Sequence, residues 1–414
     1  MDSAQTAPPE FTKAAVAEAS KNAQTPYRDF YRSGEPYTSL MQHNPWLRPP
    51  RPDEVLQYGE GRYFDTTVAE KHDYWKDKNL PSPTKDLAQL RSDFAQWGYC
   101  LIEDGTSPEQ TRALHQRVRE QAAAERALGI AYLQTAQQQV WSLVNKGEMF
   151  VECMTHELSS VQAGPLIEQL LNEALGSSWH HLSFISNISY PGCHPQGMHQ
   201  DQSLVGSLRV LDAPILVNTI YILQDVDEVN GGTLIIPGSH RLYCEGGGRF
   251  GEVPPAINLK APAGTIMLKD GRVLHGGAVN HSNDLRYILT NSVVRPFIRQ
   301  QELFHLTIRP DILKTASDKF LWRCGFQATA ARSMVEGFGY FGSGKPGDPN
   351  GSTANARIAM DENRYQWLGP LSMQDVESSS IQESTLTQLQ SQFETHRDQA
   401  RSLMQQIDAV DGEV

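Results

Sequence analysis

The fold of this chain is decided by the stretch Leu182-Ser183-Phe184-Ile185-Ser186-Asn187-Ile188-Ser189-Tyr190, which Pro191-Gly192 follows directly. The run is typical of a β-strand, and proline followed by glycine ends it. A turn then leads to Met198-His199-Gln200-Asp201. The chain therefore places a polar motif with metal-binding side chains one turn beyond a predicted strand.

Further β-rich runs lie on both sides of this stretch, and glycine or proline separates most of them. They are Tyr99–Ile102, Ile215–Leu223, Thr233–Ile236, Thr265–Lys269, Arg272–His275 and Arg286–Arg295. Asn230-Gly231-Gly232 is a turn signal, and Pro237-Gly238 ends another strand. Short strands with this punctuation indicate a sandwich or a barrel rather than a βαβ fold. We expect a mainly β protein with helical additions.

Two helices are predicted upstream of the first stretch. Ser107 stands at an N-cap position before Pro108, which is a favoured first helical residue. A second helix is predicted from Gly164-Pro165 to Leu175-Gly176, with proline at its start and glycine at its end. We expect both helices to buttress the β core.

The length of 414 residues suits one β core with additions. We predict an irregular N-terminal extension over residues 1–90 that wraps the core, a core with buttressing helices over residues 91–300, and a mostly helical C-terminal extension over residues 301–414. In the last segment, Leu386 to Ile407 carry a helical seam of about three heptads. This helix either pairs with a second subunit to form a homodimer or folds back onto the domain.

The spacing of His199 and Asp201 predicts a metal site. Side chains two residues apart on a β-strand project from the same face, so one metal ion can contact both. His275, from a distant strand, completes two imidazoles and one carboxylate on one side of the ion. This set is the facial triad of non-heme Fe(II) oxygenases. Arg286 follows His275 by eleven residues (286 − 275).

A second match to the same spacing, His396-Arg397-Asp398, shows how little the pair means alone. It lies in the predicted C-terminal helix, where residues two apart point about 200° apart around the axis and cannot share a metal. The prediction therefore depends on the ordered set of ligands rather than on the pair.

The chain resembles the phytanoyl-CoA dioxygenase family of Fe(II)/2-oxoglutarate-dependent oxygenases from roughly Gly98 to Pro296. The residues that carry the resemblance are His199-Gln200-Asp201, Asn230-Gly231-Gly232-Thr233, Pro237-Gly238-Ser239-His240, Leu274-His275-Gly276, Asn280, Ser282 and Arg286. The resemblance implies a double-stranded β-helix, or jelly-roll, core flanked by α-helices.

Four residue roles follow from the resemblance with a physical reason beside it. His199, Asp201 and His275 are implied to bind Fe(II), and Arg286 is implied to hold the far carboxylate of 2-oxoglutarate. A guanidinium is always charged and matches a carboxylate with two parallel hydrogen bonds, so it can anchor a dicarboxylate inside a dry barrel. His194 and His240 are interpreted as structural or substrate-facing.

Three more side chains are predicted to contact the cosubstrate. Thr233 is predicted to donate to a carboxylate of 2-oxoglutarate, and Asn218 and Gln196 are predicted to do the same. A Gly-Gly-Thr turn also serves hairpin geometry, so Thr233 has a structural reading beside the functional one. Related enzymes often place a glutamine two residues before the first metal histidine, whereas here Gly197 stands there and Gln196 lies one residue further back.

The reaction class follows from the same resemblance. Halogenating oxygenases of this type usually lack the metal carboxylate, so the presence of Asp201 argues against halogenation. The implied reaction consumes O2, decarboxylates 2-oxoglutarate to succinate and CO2, and removes a hydrogen atom from an unactivated carbon of the substrate. Hydroxylation, desaturation, ring closure and rearrangement are all outcomes of such a step. The implied cofactors are Fe(II), 2-oxoglutarate and O2.

Composition excludes several other classes of protein. With 36 Lys and Arg against 48 Asp and Glu, the formal net charge of −12 disfavours nucleic acid or an anionic membrane as partner. No run of 18 apolar residues exists, and the polar start Met1-Asp2-Ser3-Ala4-Gln5 lacks a signal-peptide segment. The 5 scattered cysteines fit reduced thiols. We expect a cytoplasmic protein with a small-molecule substrate.

Three functions stay open at this point. The first is an oxygenase of a small organic molecule in a biosynthetic pathway, such as that of a secondary metabolite, since no cluster of basic residues awaits the phosphates of a CoA thioester. The second is an acyl-CoA alpha-hydroxylase of phytanoyl-CoA type. The third is a non-catalytic jelly-roll metal-binding protein. Arg286 argues against the third, because such a module needs no dicarboxylate anchor.

Overall fold

A computed structural model describes residues 75–134, 137–191, 193, 196, 198–202, 213–241 and 256–326, two further strands up to residue 342, and isolated residues 353, 356, 357, 360 and 394. The chain divides into two compact units, Met1–Ser333 with Tyr340–Arg357, and Met334–Gly339 with Ile358–Val414. The contacts discussed below lie in the first unit. Most of the predicted N-terminal extension, His194 and the predicted seam from Leu386 to Ile407 fall outside the described residues.

The strands follow the β-rich runs of the sequence. In chain order they are β1 (Tyr99–Ile102), β2 (Tyr132–Gln134), β3 (Gln137–Val140), β4 (His180–Ser189), β5 (Leu216–Ile222), β6 (Leu234–Ile235), β7 (Ile257–Asn258), β8 (Ile266–Asp270), β9 (His275–Gly276), β10 (Arg286–Val294), β11 (Arg332–Val335) and β12 (Gly339–Gly342).

Two antiparallel sheets make up the core. The larger sheet has seven strands in the order β1-β8-β5-β10-β4-β3-β2, and the smaller sheet has the order β7-β6-β9. A bridge between His199 and His275 extends the smaller sheet by one more segment. With the His199 segment counted in the smaller sheet, the described strands from β4 to β10 alternate between the two sheets, except that β6 and β7 are consecutive in one of them. Residues far apart in sequence become neighbours in this way.

Apolar side chains from both sheets pack in one cluster. Ile235 of the smaller sheet belongs to the same buried cluster as Ile220, Met267 and Ile288 of the larger sheet. Burial of such side chains stabilises the fold by roughly 1.5–3 kcal/mol each relative to exposure. The inner surface of the larger sheet, which carries Ile220 and Met267, is therefore the surface that faces the smaller sheet.

Helices flank the sheets, as the sequence predicts. They are α1 (Leu87–Trp97), α2 (Pro108–Ala127), α3 (Glu148–Thr155), α4 (Gly164–Leu175), α5 (Phe304–Thr307), α6 (Pro310–Thr315) and α7 (Asp318–Arg323). The predicted start of α2 is confirmed, because Ser107 accepts from the backbone of Gln110 and the Gln110 side chain accepts from the backbone of Ser107. Gly176 ends α4 with φ 83°.

Polar contacts fix helices to the outer surface of the larger sheet. His181 on β4 is fully buried, and its ring bonds with Oδ1 of Asn291 and the carbonyl of Met154, both at 2.8 Å. Burial lowers the pKa of His181 to about 3, so the ring stays neutral. Arg323 on α7 stacks on the ring of Trp179, 3.4 Å from its centroid, and donates to Glu168 on α4 at 2.7 Å. The helices thus buttress the sheet.

The coarse fold prediction is confirmed, since the described residues form mostly antiparallel sheet with flanking helices. The predicted strand Arg272–His275 begins only at His275, because the Asp270 carboxylate accepts from the backbone of Arg272 at 2.8 Å and holds a turn there. The strands β11 and β12 also lie where a mostly helical extension is predicted. In the described part of the chain, no helix combines the length and apolar composition needed to cross a membrane.

Candidate metal centre

His199 and His275 form a directly opposed antiparallel pair. The backbone N–H of each donates to the carbonyl of the other, at 2.9 Å and 3.0 Å. Opposed residues in an antiparallel pair share a face, and the two ring centroids accordingly lie 4.4 Å apart. The pairing of two distant segments, rather than either segment alone, brings the imidazoles together.

Asp201 reaches the same place by a different route from the one the sequence predicts. It lies beyond the His199 bridge and outside any strand, so strand alternation alone does not place it. The backbone of Gln202 donates to Gly271 at 2.8 Å, and the Gln200 side chain donates to the Arg272 carbonyl. These bonds hold the segment that contains Asp201 against the turn before β9.

The ligand atoms of the three residues fit a metal ion. The atoms that His199, Asp201 and His275 offer lie within 4.8 Å of one another. Oδ1 of Asp201 is 3.4 Å from Nε2 of His199, and Oδ2 is 3.2 Å from Nε2 of His275. Two ligand atoms about 2.1 Å from a metal and at right angles to each other lie about 3.0 Å apart. The three side chains can therefore occupy one side of an ion.

The state of His275 also suits a metal ligand. Burial, with the positive charge of Lys269 beside it, lowers the pKa of His275 to about 4, so the ring is neutral near pH 7. Nδ1 lies 3.0 Å from the carbonyl of Val273. A proton on Nδ1 that is donated to this carbonyl leaves the lone pair of Nε2 for a metal ion.

Lys269, which the sequence analysis does not single out, lies directly against the cluster. Its side chain is fully buried, and Nζ is 3.0 Å from Oδ2 of Asp201. Burial opposes the ionisation of Asp201, but the charge of Lys269 and the hydrogen bonds with the two histidine rings outweigh it and hold the pKa of that carboxyl well below its usual value. The signal in the sequence is a lysine that ends the mostly apolar predicted strand Thr265–Lys269.

The turn before His275 is fixed by its own polar contacts. The Asp270 carboxylate accepts from Nη2 of Arg272 at 2.7 Å as well as from its backbone. The Ser239 hydroxyl accepts from the backbone of Leu274 at 2.8 Å. His240, the next residue, lies 3.2 Å from the carbonyl of Ala95 and has a structural contact there. These motif residues hold the strand that carries His275.

The guanidinium group of Arg286 is buried and has few hydrogen-bond partners. Its Nη2 donates to the Ser189 hydroxyl at 2.7 Å, while Nε and Nη1 are buried and have no hydrogen-bond partner among the described residues. Burial lowers the pKa of Arg286 to about 10, which still leaves it charged near pH 7. A buried cation with free N–H groups is costly unless an anion pairs with it, so this position fits a carboxylate.

Gln137 is a second residue that the sequence analysis misses. Ser189 pairs with Gln137 on one side and with Arg286 on the other, so the three side chains share one face of adjacent strands. The Nε2 atom of Gln137 is buried and lacks a partner within the described part of the chain. A side-chain carbon at Gly277 would lie 3.1 Å from this atom, which places the amide beside β9.

The three remaining predicted cosubstrate residues lie on the same core but make different contacts. Asn218 is buried opposite Lys269 on β5, and its amide donates to Ser292 at 2.8 Å. The Gln196 side chain accepts from the backbone of Gly277 at 2.9 Å. Thr233 is buried directly before β6. Their predicted contacts with a cosubstrate stay predictions.

Part of the chain is similar to known proteins. Residues 94–288 match the phytanoyl-CoA dioxygenase (PhyH) family. The chain is 26% identical over 201 residues to the dioxygenase FrzG of Cladobotryum sp., which covers 45% of this chain and 63% of that protein. It is 23% identical over 217 residues to the Fe(II)/2-oxoglutarate-dependent dioxygenase nvfF of Aspergillus novofumigatus, covering 49% of this chain and 69% of the relative.

A solved structure is also similar in part. The non-heme alpha ketoglutarate dependent carbocyclase SnoK from nogalamycin biosynthesis is 16% identical, with a TM-score of 0.42 over 57% of this chain and 95% of SnoK. The chain spans less than two thirds of the length of FrzG. The stretch that matches the phytanoyl-CoA dioxygenase family, residues 94–288, contains the two histidines, Asp201 and Arg286.

Proposed function

We propose that this protein is an Fe(II)/2-oxoglutarate-dependent dioxygenase that oxidises an unactivated C–H bond of a small organic molecule. The observation that carries this proposal is the unsatisfied guanidinium of Arg286 on the same core as the cluster of His199, Asp201 and His275. A metal cluster alone would serve a binding protein equally well. A buried cation with two donor nitrogens that have no partner among the described residues needs an anionic ligand besides the metal.

We further propose that the two sheets form a jelly roll. The alternation of the chain between the sheets from β4 to β10 supports this topology, as does the apolar cluster shared by Ile235 and Ile220. Closing two sheets over one core lets inward side chains from both line a single site. In this arrangement, the ligands on the smaller sheet face Arg286 on the larger one.

The proposed roles divide the site into two ends. His199, Asp201 and His275 would hold Fe(II), and Arg286 would bind the far carboxylate of 2-oxoglutarate through two parallel hydrogen bonds. Thr233, Asn218 and Gln196 remain candidates for further contacts with the cosubstrate, and we add Gln137. Fe(II) with 2-oxoglutarate and O2 supplies the oxidising chemistry, in which 2-oxoglutarate is converted to succinate and CO2.

The residues of this chain contribute orientation and exclusion of water. Ser189 fixes one N–H of Arg286, so the remaining donors have a defined direction before the dicarboxylate arrives. The near-complete burial of Arg286 strengthens its pairing with an anion, since competing water is absent. A neutral His275 needs no deprotonation before it binds a metal.

The substrate class is proposed on narrower grounds. Lys269 and Arg286 are fully or nearly fully buried, so neither cation is available to the phosphates of a CoA thioester. The name of the relative nvfF supports the cofactor set but gives no substrate. We therefore place a small biosynthetic intermediate before an acyl-CoA, which stays the alternative.

Cytoplasmic location is also proposed, in agreement with four buried free cysteines among the described residues.

Succinate formation tests the proposal most directly. Anaerobically purified protein would be supplied with Fe(II), ascorbate, 2-oxoglutarate and O2, together with panels of acyl-CoAs and of terpenoid, alkaloid and polyketide intermediates. Substrate-stimulated succinate is expected, and it should disappear in His199→Ala. Bound metal without 2-oxoglutarate binding by calorimetry would instead favour the metal-binding protein. Stimulation by acyl-CoAs alone would favour the acyl-CoA hydroxylase.

A further inference from the structure

Lys269 places a positive charge inside the candidate metal centre. Its side chain has no exposed surface, and Nζ lies 3.0 Å from Oδ2 of Asp201 and 3.3 Å from Nδ1 of His275. Lysine is rarely buried in full, and a buried ammonium group requires a charged partner. In this site, the partner is the carboxylate that would also bind the metal ion.

Strand pairing fixes the position of Lys269 beside Asp201. On β8 it lies between Tyr99 of β1 and Asn218 of β5, and both neighbours are buried. The inner surface of the sheet therefore holds the lysine stem on both sides. The ammonium group donates to the Asp201 carboxylate, and the negative charge of the neighbouring Asp270 also favours its protonated form.

The two oxygens of Asp201 have different surroundings. Oδ2 accepts from Lys269, whereas Oδ1 lies 3.4 Å from Nε2 of His199. The lysine can thus orient the carboxylate so that Oδ1 is available to a metal ion. It also cancels the single negative charge that a ligand set of two imidazoles and one carboxylate presents to a metal ion.

These two effects on metal affinity oppose each other, and their sizes differ. A residue that orients a metal ligand by a hydrogen bond is worth about 10- to 100-fold in metal affinity. The repulsion between a divalent ion and an ammonium group across one carboxylate lowers metal affinity by more than about 100-fold, even at an effective dielectric constant of about 20. Repulsion should therefore dominate when the metal binds alone.

We propose that Lys269 couples metal binding to binding of the dianionic cosubstrate. Its charge weakens binding of a divalent cation alone, and the two negative charges of 2-oxoglutarate remove this penalty when they enter the same buried site. By linkage, the metal ion strengthens cosubstrate binding by the same factor. The inference rests on the proposed function, and Lys269 acts in it as a positioning residue through Asp201 and through its charge.

Metal titrations test the coupling without any turnover. The dissociation constant of Mn(II) would be measured by electron paramagnetic resonance of the free ion, with and without 2-oxoglutarate, for the wild type, Lys269→Met and Lys269→Arg. Lys269→Met should bind Mn(II) alone at least about tenfold more tightly and lose at least about tenfold of the enhancement by 2-oxoglutarate. Lys269→Arg keeps the charge and should retain the wild-type pattern.

Two further variants serve as controls. One guards against a failure to fold, and the other removes a lysine that lies outside the candidate metal centre. Lys269→Gln keeps a donor for Asp201 without the charge, so it should bind Mn(II) alone at least as tightly as Lys269→Met and lose the same enhancement, and it replaces that variant if Lys269→Met does not fold. Lys319→Met removes a lysine that lies 3.4 Å from Glu168 in the helical layer, and it should change neither constant. Wild-type coupling in folded Lys269→Gln or Lys269→Met would overturn the inference.

His199→Ala separates failure of the inference from failure of the proposed function. If Mn(II) binds equally well without His199, the proposed metal centre itself is wrong. If Mn(II) binding requires His199 but its enhancement by 2-oxoglutarate is unchanged in Lys269→Met, only the coupling is wrong.

Discussion

Ser189 and Arg286 lie directly opposite each other on β4 and β10, and Nη2 of Arg286 donates to the Ser189 hydroxyl at 2.7 Å. This bond satisfies one end of a buried guanidinium, while Nε and Nη1 have no partner in the described residues. The pair therefore presents a preoriented, charged donor edge. Such an edge is what a dicarboxylate cosubstrate requires at its far end.

Arg286→Lys should weaken 2-oxoglutarate binding by about 10- to 100-fold, because an ammonium group cannot make two parallel hydrogen bonds to a carboxylate. Metal binding should be unchanged, since Arg286 is not among the candidate ligands. Calorimetry of 2-oxoglutarate in the presence of Mn(II) measures the first effect and a Mn(II) titration the second. Equal cosubstrate affinity in the variant would mean that another residue anchors it.

Ser189→Ala should weaken 2-oxoglutarate binding by a smaller factor, about three- to tenfold, because it removes one neutral hydrogen bond that orients Arg286. Ser186 provides a matched control on the same strand. Its hydroxyl donates to the carbonyl of Ile288 at 3.0 Å on the outer surface, so Ser186→Ala should leave cosubstrate affinity intact. Similar losses in both variants would show that the effect comes from general loosening of β4.

Gln137→Leu and the neighbouring Gln138→Leu should affect different properties. Nε2 of Gln137 is buried without a partner among the described residues, on the sheet face that Gln137 shares with Arg286. Loss of this amide should therefore weaken 2-oxoglutarate binding by about three- to tenfold. Gln138 accepts from Arg126 at 2.6 Å and from Tyr190 at 2.9 Å, so its loss should lower the free energy of unfolding by about 1–3 kcal/mol. Urea denaturation measures the stability of both variants, and calorimetry measures their affinity for 2-oxoglutarate. Loss of stability in Gln137→Leu with loss of affinity in Gln138→Leu would refute the prediction.

His199→Ala should remove metal binding and turnover together, because only His275 and Asp201 would remain on that side of the ion. Loss of one of three protein ligands lowers metal affinity by more than the 10- to 100-fold typical of residues that merely orient a ligand. The exposed residue His281 serves as control, and His281→Ala should bind metal normally. Full activity in His199→Ala would remove the triad assignment.

Glu302→Gln should change how stability depends on pH. Burial raises the pKa of Glu302 to about 7 in the folded protein, although its Oε1 accepts from the backbone of Phe184 at 2.8 Å. Between about pH 4.5 and 7 the folded state thus holds more protons here than the unfolded state, so stability from this group falls as pH rises and levels off above about 7.

The size of this effect is up to about 3.5 kcal/mol, because the pKa rises from 4.5 to about 7 and each tenfold change in proton affinity is worth about 1.4 kcal/mol. Urea denaturation at pH 5 and pH 8 measures it in the wild type and in Glu302→Gln. The wild type should lose more stability than the variant between these two pH values. Parallel pH profiles would show that Glu302 is ionised in the folded protein.

Local patterns in the sequence predicted local structure well. The cap at Ser107, the helix that ends at Gly176 and the strand β4 all depend on neighbouring residues, and the structure confirms them. The ordered set of His199, Asp201, His275 and Arg286 likewise stands in the sequence. The prediction for Arg272–His275 was wrong in part, because a side chain, Asp270, holds a turn where β-branched composition favours a strand.

The sequence by itself determined the chemistry available to this protein, since residue types and turn signals specify two imidazoles, one carboxylate and a guanidinium on a mainly β chain. Only the tertiary structure decided which side chains meet. His199 joins His275 through a bridge between distant segments, Lys269 on β8 contacts Asp201 in the segment after that bridge, and Gln137 joins Arg286 across two strand pairings. Strand order and register set these contacts, and both depend on burial of the whole core rather than on any local run of residues.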